Sequence, residues 1–102
     1  MNDTLVHLDA AIDEVTRARV TLLRDKSKQV RSGDERDKLK AVAFAWFQTH
    51  RPHVKAHVEP SELAAVDDAY QTILDGTARL AARSTYASGL RAAKDALVVA
   101  RR

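Results

Sequence analysis

The side chains with the clearest potential for chemistry are three histidines in the middle of the chain. His50, His53 and His57 fall within eight residues. Neutral imidazoles three and four residues apart on a helix can share a metal ion. Pro52 interrupts the helix between the first two, and Glu59 is the only nearby carboxylate. We therefore predict no metal and no other cofactor, and interpret the histidines as semi-polar residues of a surface loop.

Arg51 and His57 also form an Arg-x5-His pair. This spacing resembles the Arg-x4-6-His motif of HEPN-type ribonucleases, which are small helical bundles that dimerise to build one cleft. The resemblance implies that His57 would act as a general acid or base in RNA cleavage. The resemblance covers only two residues of the chain, Arg51 and His57. Pro52 stands where that family usually has a polar residue, and the pair falls in a predicted loop instead of the last helix.

Other signatures of an enzyme are absent from the sequence. The chain has no Cys, no Gly-rich phosphate loop and no Gly-x-Ser-x-Gly. Asp67 and Asp68 are adjacent, so on a helix they point about 100° apart and do not face each other. We predict that the protein is not an enzyme.

The elements that must position these residues are helices. Gly33, Pro52 and Pro60 all fall between long stretches of helix-spaced apolar residues, and Gly and Pro are costly inside helices. The pattern predicts a single all-α domain over residues 1–102, a compact antiparallel four-helix bundle. The approximate helices are 3–31, 34–50, 61–82 and 85–100.

Individual residues predict where these helices end. Gly33 should end the first and Pro52 the second, and the third should run through Gly76 because its apolar spacing continues to Leu80. Gly89 lies where another helix could approach closely. The second helix, apolar nearly all round between 41 and 47, is expected to be the central one. The predicted N-caps are Asp34, Ser61 and either Ser84 or Thr85.

Charge is distributed in blocks although the net charge is only +3. Residues 1–15 and 59–75 carry Asp and Glu but no Lys or Arg, whereas residues 16–58 and 76–102 are basic. An antiparallel bundle would gather many cations at one pole, and the histidines and the two C-terminal arginines at the other. The candidate anion-binding residues at the basic pole are Arg24, Lys28, Arg31, Arg36, Lys38, Arg79 and Arg83.

Two functions fit this pattern. The first is a non-enzymatic helical module that binds a protein partner or itself, a homodimer or a small subunit of a larger assembly, since blocks of opposite charge favour pairing. The alternative is binding of nucleic-acid backbone at the basic pole, although no aromatic interleaves the cations of residues 24–40. The candidate self-association residues are Leu63, Val66, Tyr70 and Ile73. With no signal peptide and no apolar run of membrane-spanning length, we expect a cytoplasmic protein without a membrane partner.

Overall fold

The structure is a computed structural model that describes residues 3–30 and 33–102. Its helices are α1 (Asp3–Arg24), α2 (Gly33–Ala45), α3 (Arg51–Val54), α4 (Pro60–Arg79) and α5 (Arg83–Arg101), with a π-helical turn (Trp46–His50) between α2 and α3. The backbone stays right-handed helical through that turn, so α2, the turn and α3 form one rod. Four helical rods confirm the predicted all-α fold. Within the described residues, no helix is both long and apolar enough to cross a lipid bilayer.

Neighbouring rods run antiparallel, and α5 packs most extensively, against both α4 and α1. Near one end of the bundle, Arg101 of α5 contacts Asp9 of α1 at 2.8 Å. Near the other end, Arg83 of α5 reaches the carbonyl of Leu22. The expectation that the second helix is central is wrong, because α2 packs mainly against α4 and leaves Phe44 43% exposed.

The core is formed by one face of each rod. Trp46 and Tyr70 stack at its centre with ring centroids 5.8 Å apart. The remaining fully buried large apolar side chains are Leu8, Val15, Val54, Val66, Ile73, Tyr86, Leu90 and Leu97. Leu39 and Ala43 of α2 belong to the same buried cluster, which thus draws on every helix, so the fold depends on all four rods packing together.

Helices α4 and α5 approach closely at two glycines. A Cβ on Gly89 would lie 3.0 Å from Cγ1 of Ile73, and a Cβ on Gly76 would lie 3.0 Å from Cε1 of Tyr86. The Tyr86 hydroxyl donates a 2.7 Å hydrogen bond to the Gly76 carbonyl. Both predictions about these glycines are confirmed: α4 continues through Gly76, and Gly89 marks a close helix approach.

Helix α1 ends at Arg24, earlier than the predicted residue 31. The Asp25 carboxylate accepts a 2.9 Å hydrogen bond from the Ser27 backbone N–H, a local turn that competes with the helix. The chain then runs extended, and Gln29 forms an antiparallel bridge with Ala82. The predicted helix end at Arg31 and Ser32 lies outside the described residues.

Pro52 does not end the second rod, which is a correction to the sequence prediction. It lies in the first turn of α3, and helical structure continues to Val54. The preceding turn has already shifted its hydrogen bonds, because the Arg51 N–H donates to the Trp46 carbonyl five residues back. A proline therefore disturbs less here than in a regular helix, where it removes a bond to the fourth residue back. The predicted loop 51–60 shortens to 55–59.

The other predicted boundaries shift by one to three residues. Asp34 lies in the first turn of α2, and Glu59, not Ser61, is the N-cap of α4. Helix α4 ends three residues before the predicted residue 82, because Leu80 adopts a left-handed conformation (φ 56°, ψ 55°). Helix α5 starts at Arg83 after extended Ala82, without a side-chain cap from a serine or threonine.

Leu80 is a residue whose replacement should stabilise the fold. A left-handed conformation is strained for a residue with a Cβ, and Leu80 is 67% exposed, so little burial is lost on its removal. We expect Leu80→Gly to raise the unfolding free energy by about 0.5–1 kcal/mol in urea denaturation. Leu80→Ala keeps the Cβ and should give no such gain. A lower stability for the glycine variant would contradict this account.

Candidate functional site

Histidines from two rods meet at one end of the bundle. His50, in the π-helical turn, is buried and places its Nδ1 2.8 Å from Nδ1 of His7 on α1. His50 Nε2 lies 3.3 Å from Oε2 of Glu14, also on α1. His53 stacks on His7 with centroids 4.0 Å apart and planes only 7° apart. We call His7, Glu14, His50 and His53 the histidine cluster.

The two short contacts fix the direction of the hydrogen bonds when both rings are neutral. A neutral imidazole has one N–H and one lone pair. His50 Nε2 faces a carboxylate, so it carries the N–H, and its Nδ1 must accept. His7 Nδ1 then donates, and the lone pair of His7 lies on Nε2. The result is a carboxylate–imidazole–imidazole chain that can hold or pass a proton.

The cluster does not have the geometry of a metal site. The rings of His7 and His53 are stacked nearly parallel with their centroids 4.0 Å apart, so their in-plane lone pairs do not converge on one ion. In residues 3–30 and 33–102 no group of three or more His, Asp or Glu side chains is arranged to hold a metal. Of the three histidines singled out in the sequence, the structure brings together His50 and His53, whereas His57 lies exposed in the turn after α3.

One carboxylate on α4 accepts hydrogen bonds from residues at both ends of the π-helical turn that carries His50. Trp46, the first residue of the turn, donates from its indole nitrogen to Oδ1 of Asp67 at 2.8 Å. Arg51, the first residue after the turn, donates from Nε to both Asp67 oxygens at 3.0 Å. π-Helical turns are often found at functional sites. Asp67 is therefore a positioning residue, and Arg51 is committed to it instead of to His57.

The environment of the cluster favours neutral His7. Burial lowers the pKa of His7, and the charges that His53 and His50 carry when protonated lower it further, while Asp3 acts in the opposite direction. Nearby, burial and then the charge of Glu14 raise the pKa of the Tyr70 phenol, so Tyr70 stays protonated. Sequence reasoning missed His7 and Glu14. The predicted antiparallel topology could have identified them, because it places the start of α1 beside the end of the second rod, where His50 and His53 lie.

At the opposite pole, the predicted anion-binding residue Arg83 is buried and already paired. Its Nη2 lies 3.0 Å from Oδ2 of Asp25 and 2.6 Å from Oε1 of Glu35. Its Nε donates to the carbonyl of Gln29 at 2.9 Å, and its Nη1 to that of Leu22 at 3.5 Å. Arg83 therefore joins α1, the extended segment, α2 and α5, and its charge is not presented to solvent.

A cleft of about 420 Å³ lies beside Arg83. Arg24 and Lys38 line it, and so do the two carboxylates that bind Arg83. The wall of the cleft thus carries both cations and anions. Along α1 the cleft lies roughly 20 Å from His7, because residues 7 and 21 are fourteen positions apart.

The other predicted residues of the basic pole have varied surroundings. Lys28 and Arg79 are exposed, and Arg36 is half-buried with its Nε enclosed and without a hydrogen-bond partner. Arg31 lies outside the described residues. The exposed cations are therefore fewer than the sequence alone predicts, and Arg83 neutralises carboxylates of its own chain.

The predicted self-association residues belong to the chain's own core. Val66, Tyr70 and Ile73 are fully buried, and Leu63 is partly buried against them. Their regular spacing reflects packing of α4 against α2 and α5 within one chain. A surface for self-association has to come from other residues.

Comparisons with known proteins give no match for this chain. No protein-family model matches the chain. No curated protein and no solved structure matches it significantly.

The histidine cluster predicts an acid-sensitive stability. A pKa of His7 below the ordinary 6.5 means that folding favours the neutral ring. This contribution is present above about pH 6.5 and is lost as the pH falls, with a slope of at most about 1.4 kcal/mol per pH unit for one proton. Urea denaturation between about pH 5 and pH 8, followed by fluorescence of the buried Trp46, measures it.

Two asparagine variants test the assignment to His7. His7→Asn keeps a hydrogen-bond donor near the position of Nδ1 but does not titrate, so its stability should fall less between about pH 6.5 and pH 5. His57→Asn changes an exposed histidine outside the cluster and should keep the full pH dependence. Equal acid slopes for His7→Asn and the unchanged protein would overturn the assignment.

Arg83 predicts a large loss of stability on truncation of its charge. Arg83→Met keeps much of the volume but leaves Asp25 and Glu35 without this cation, so we expect a loss of about 2–3 kcal/mol in urea denaturation. Arg83→Lys should recover only part, because an ammonium lacks the planar fork. Arg79→Met, at an exposed cation near the same corner, should change stability by at most about 0.5 kcal/mol. Equal effects at positions 79 and 83 would refute the role of Arg83.

Proposed function

We propose that the protein is a non-enzymatic helical interaction module that associates with a second copy of itself. The observation that carries the proposal is a regular stripe on the outer face of α1. Its residues follow alternate steps of four and three, the spacing of a helix-pairing seam. This outer stripe consists of Val6, Ala10, Asp13, Arg17, Val20 and Arg24.

The outer stripe is not used by the core of its own chain. Val6 is 47% exposed and Val20 is 44% exposed, although they lie fourteen residues, or about four helical turns, apart on the same line. The opposite face of α1 supplies Leu8 and Val15 to the core. Half of the residues of the outer stripe are apolar and half are charged, and we propose that this mixed face is a second packing surface.

The size of the chain also supports association. A domain of 102 residues buries only roughly two thirds of the surface of its unfolded chain, so it has little stability in reserve. Pairing adds stability by mass action because the partner binds only the folded state.

Nucleic-acid binding at the basic pole has less support. Arg83, one of the predicted cations, is buried between Asp25 and Glu35. Arg24 and Lys38 share the cleft wall with these carboxylates. Such a mixed surface attracts phosphate backbone less than a continuous basic patch.

Sedimentation equilibrium tests the proposal. The weight-average mass should rise from the 11.3 kDa of the monomer toward twice that value as the concentration increases. A range of about 10 µM to 1 mM covers the weak association expected of a small interface. A mass that stays at that of the monomer throughout would refute self-association.

A further inference from the structure

The outer stripe carries opposite charges at its centre and apolar residues on either side. Asp13 and Arg17 are exposed and four residues apart, with Ala10 and Val20 next along the stripe in the two directions. The carboxylates that flank the stripe are held within the chain, Asp9 by Arg101 and Glu14 by His50. In the part of the chain that the structure describes, Asp13 and Arg17 form no ion pair with another element.

We propose that the outer stripe pairs antiparallel with the outer stripe of a second copy, about a two-fold axis that crosses α1 midway between Asp13 and Arg17. This inference rests on the proposed self-association and specifies its geometry. Asp13 of each copy then faces Arg17 of the other, which gives two equivalent ion pairs. Ala10 faces Val20, a small side chain against a larger one, and Val6 packs on the aliphatic stem of Arg24.

Charge complementarity selects this direction over a parallel one. In a parallel pair, Asp13 would face Asp13 and Arg17 would face Arg17, and like charges across an interface are strongly unfavourable. The charges along the whole helix also favour the antiparallel direction. The exposed acids Asp3 and Asp13 lie in its first half, and the arginines of the stripe lie in its second half, so each acidic half then faces a basic half. An antiparallel pair also sets opposite helix dipoles side by side.

An isologous interface follows from this arrangement. One surface serves both partners, so the assembly closes at two copies and does not propagate into a filament. The contact is centred on the 22 residues of α1, a narrow seam that lies at the weak end of protein interfaces. The dimer therefore exchanges readily with the monomer.

Complementary charge reversals provide the decisive test. Asp13→Arg sets arginine against Arg17 of the second copy, and Arg17→Asp sets aspartate against Asp13. Each variant alone should raise the dimer dissociation constant by about tenfold or more. An equimolar mixture of the two should associate again, because each copy then meets its opposite charge. The double variant Asp13→Arg, Arg17→Asp should form homodimers.

A matched control lies on α5, where Arg91 and Asp95 form another exposed pair four residues apart. Arg91→Asp and Asp95→Arg impose the same changes of net charge and of local helix charge, and should leave association unchanged. Circular dichroism would verify that every variant is folded. The measurement is the weight-average mass by sedimentation equilibrium at about 50 mM salt, where ion pairs are weakly screened.

The outcomes separate this geometry from the proposed function. Restored association in the mixture supports the antiparallel stripe. If the unchanged protein associates but the single reversals do not weaken it, or the mixture fails to recover, the stripe geometry is overturned while self-association stands. If the unchanged protein stays a monomer, the proposed function and this inference both fail.

Discussion

Arg83 joins four parts of the chain by hydrogen bonds and ion pairs at one pole of the bundle. Its guanidinium reaches the end of α1, the extended segment after it and the start of α2 from the first residue of α5. The backbone N–H of Arg83 also donates to the carbonyl of Lys28. A planar fork with five donors suits a position with several acceptors at different angles. The left-handed turn at Leu80 and the bridge from Gln29 to Ala82 both lie beside this contact, so the direction of the α4–α5 corner depends on it.

The fold could be predicted from the sequence because the spacing of apolar residues and the glycines and prolines at helix boundaries are local features. Pro60 lies in the first turn of α4, and the apolar spacing through Gly76 correctly indicated a continuous helix. Gly33, which was predicted to end the first helix, is instead the first residue of α2. The errors come from interactions between distant residues. The end of α1 at Arg24 combines a local turn at Asp25 with the pairing of Gln29 and the distant Ala82. The helix through Pro52 depends on a changed hydrogen-bond pattern anchored by the distant Asp67. Neither partner is visible in a local window of sequence.

The polar sites were harder to predict than the helices for the same reason. From the sequence, Arg83 was interpreted as one of several surface cations. In the structure it is buried and paired with Asp25 and Glu35, which lie about 50 residues away in the chain. Similarly, His50 and His53 read as loop residues until α1 brings His7 and Glu14 beside them. The cleanest seam in the sequence, through Val66 and Ile73, proved to be core. The outer stripe of α1 is easily overlooked because its central residues are charged.

The π-helical turn allows the second rod to contain both an extra residue and a proline. Its hydrogen bonds enclose one more residue than those of an α-helix, as the bond from Arg51 to Trp46 shows. Deleting a single residue from the turn would leave Trp46 and Arg51 four residues apart in a regular α-helix, so both side chains would still lie on the face of Asp67. Pro52 would then lie inside a regular helix, where its ring meets the carbonyl of the fourth residue back. A related chain whose turn is one residue shorter is therefore expected to keep the contacts of Asp67 and to have another residue in place of Pro52.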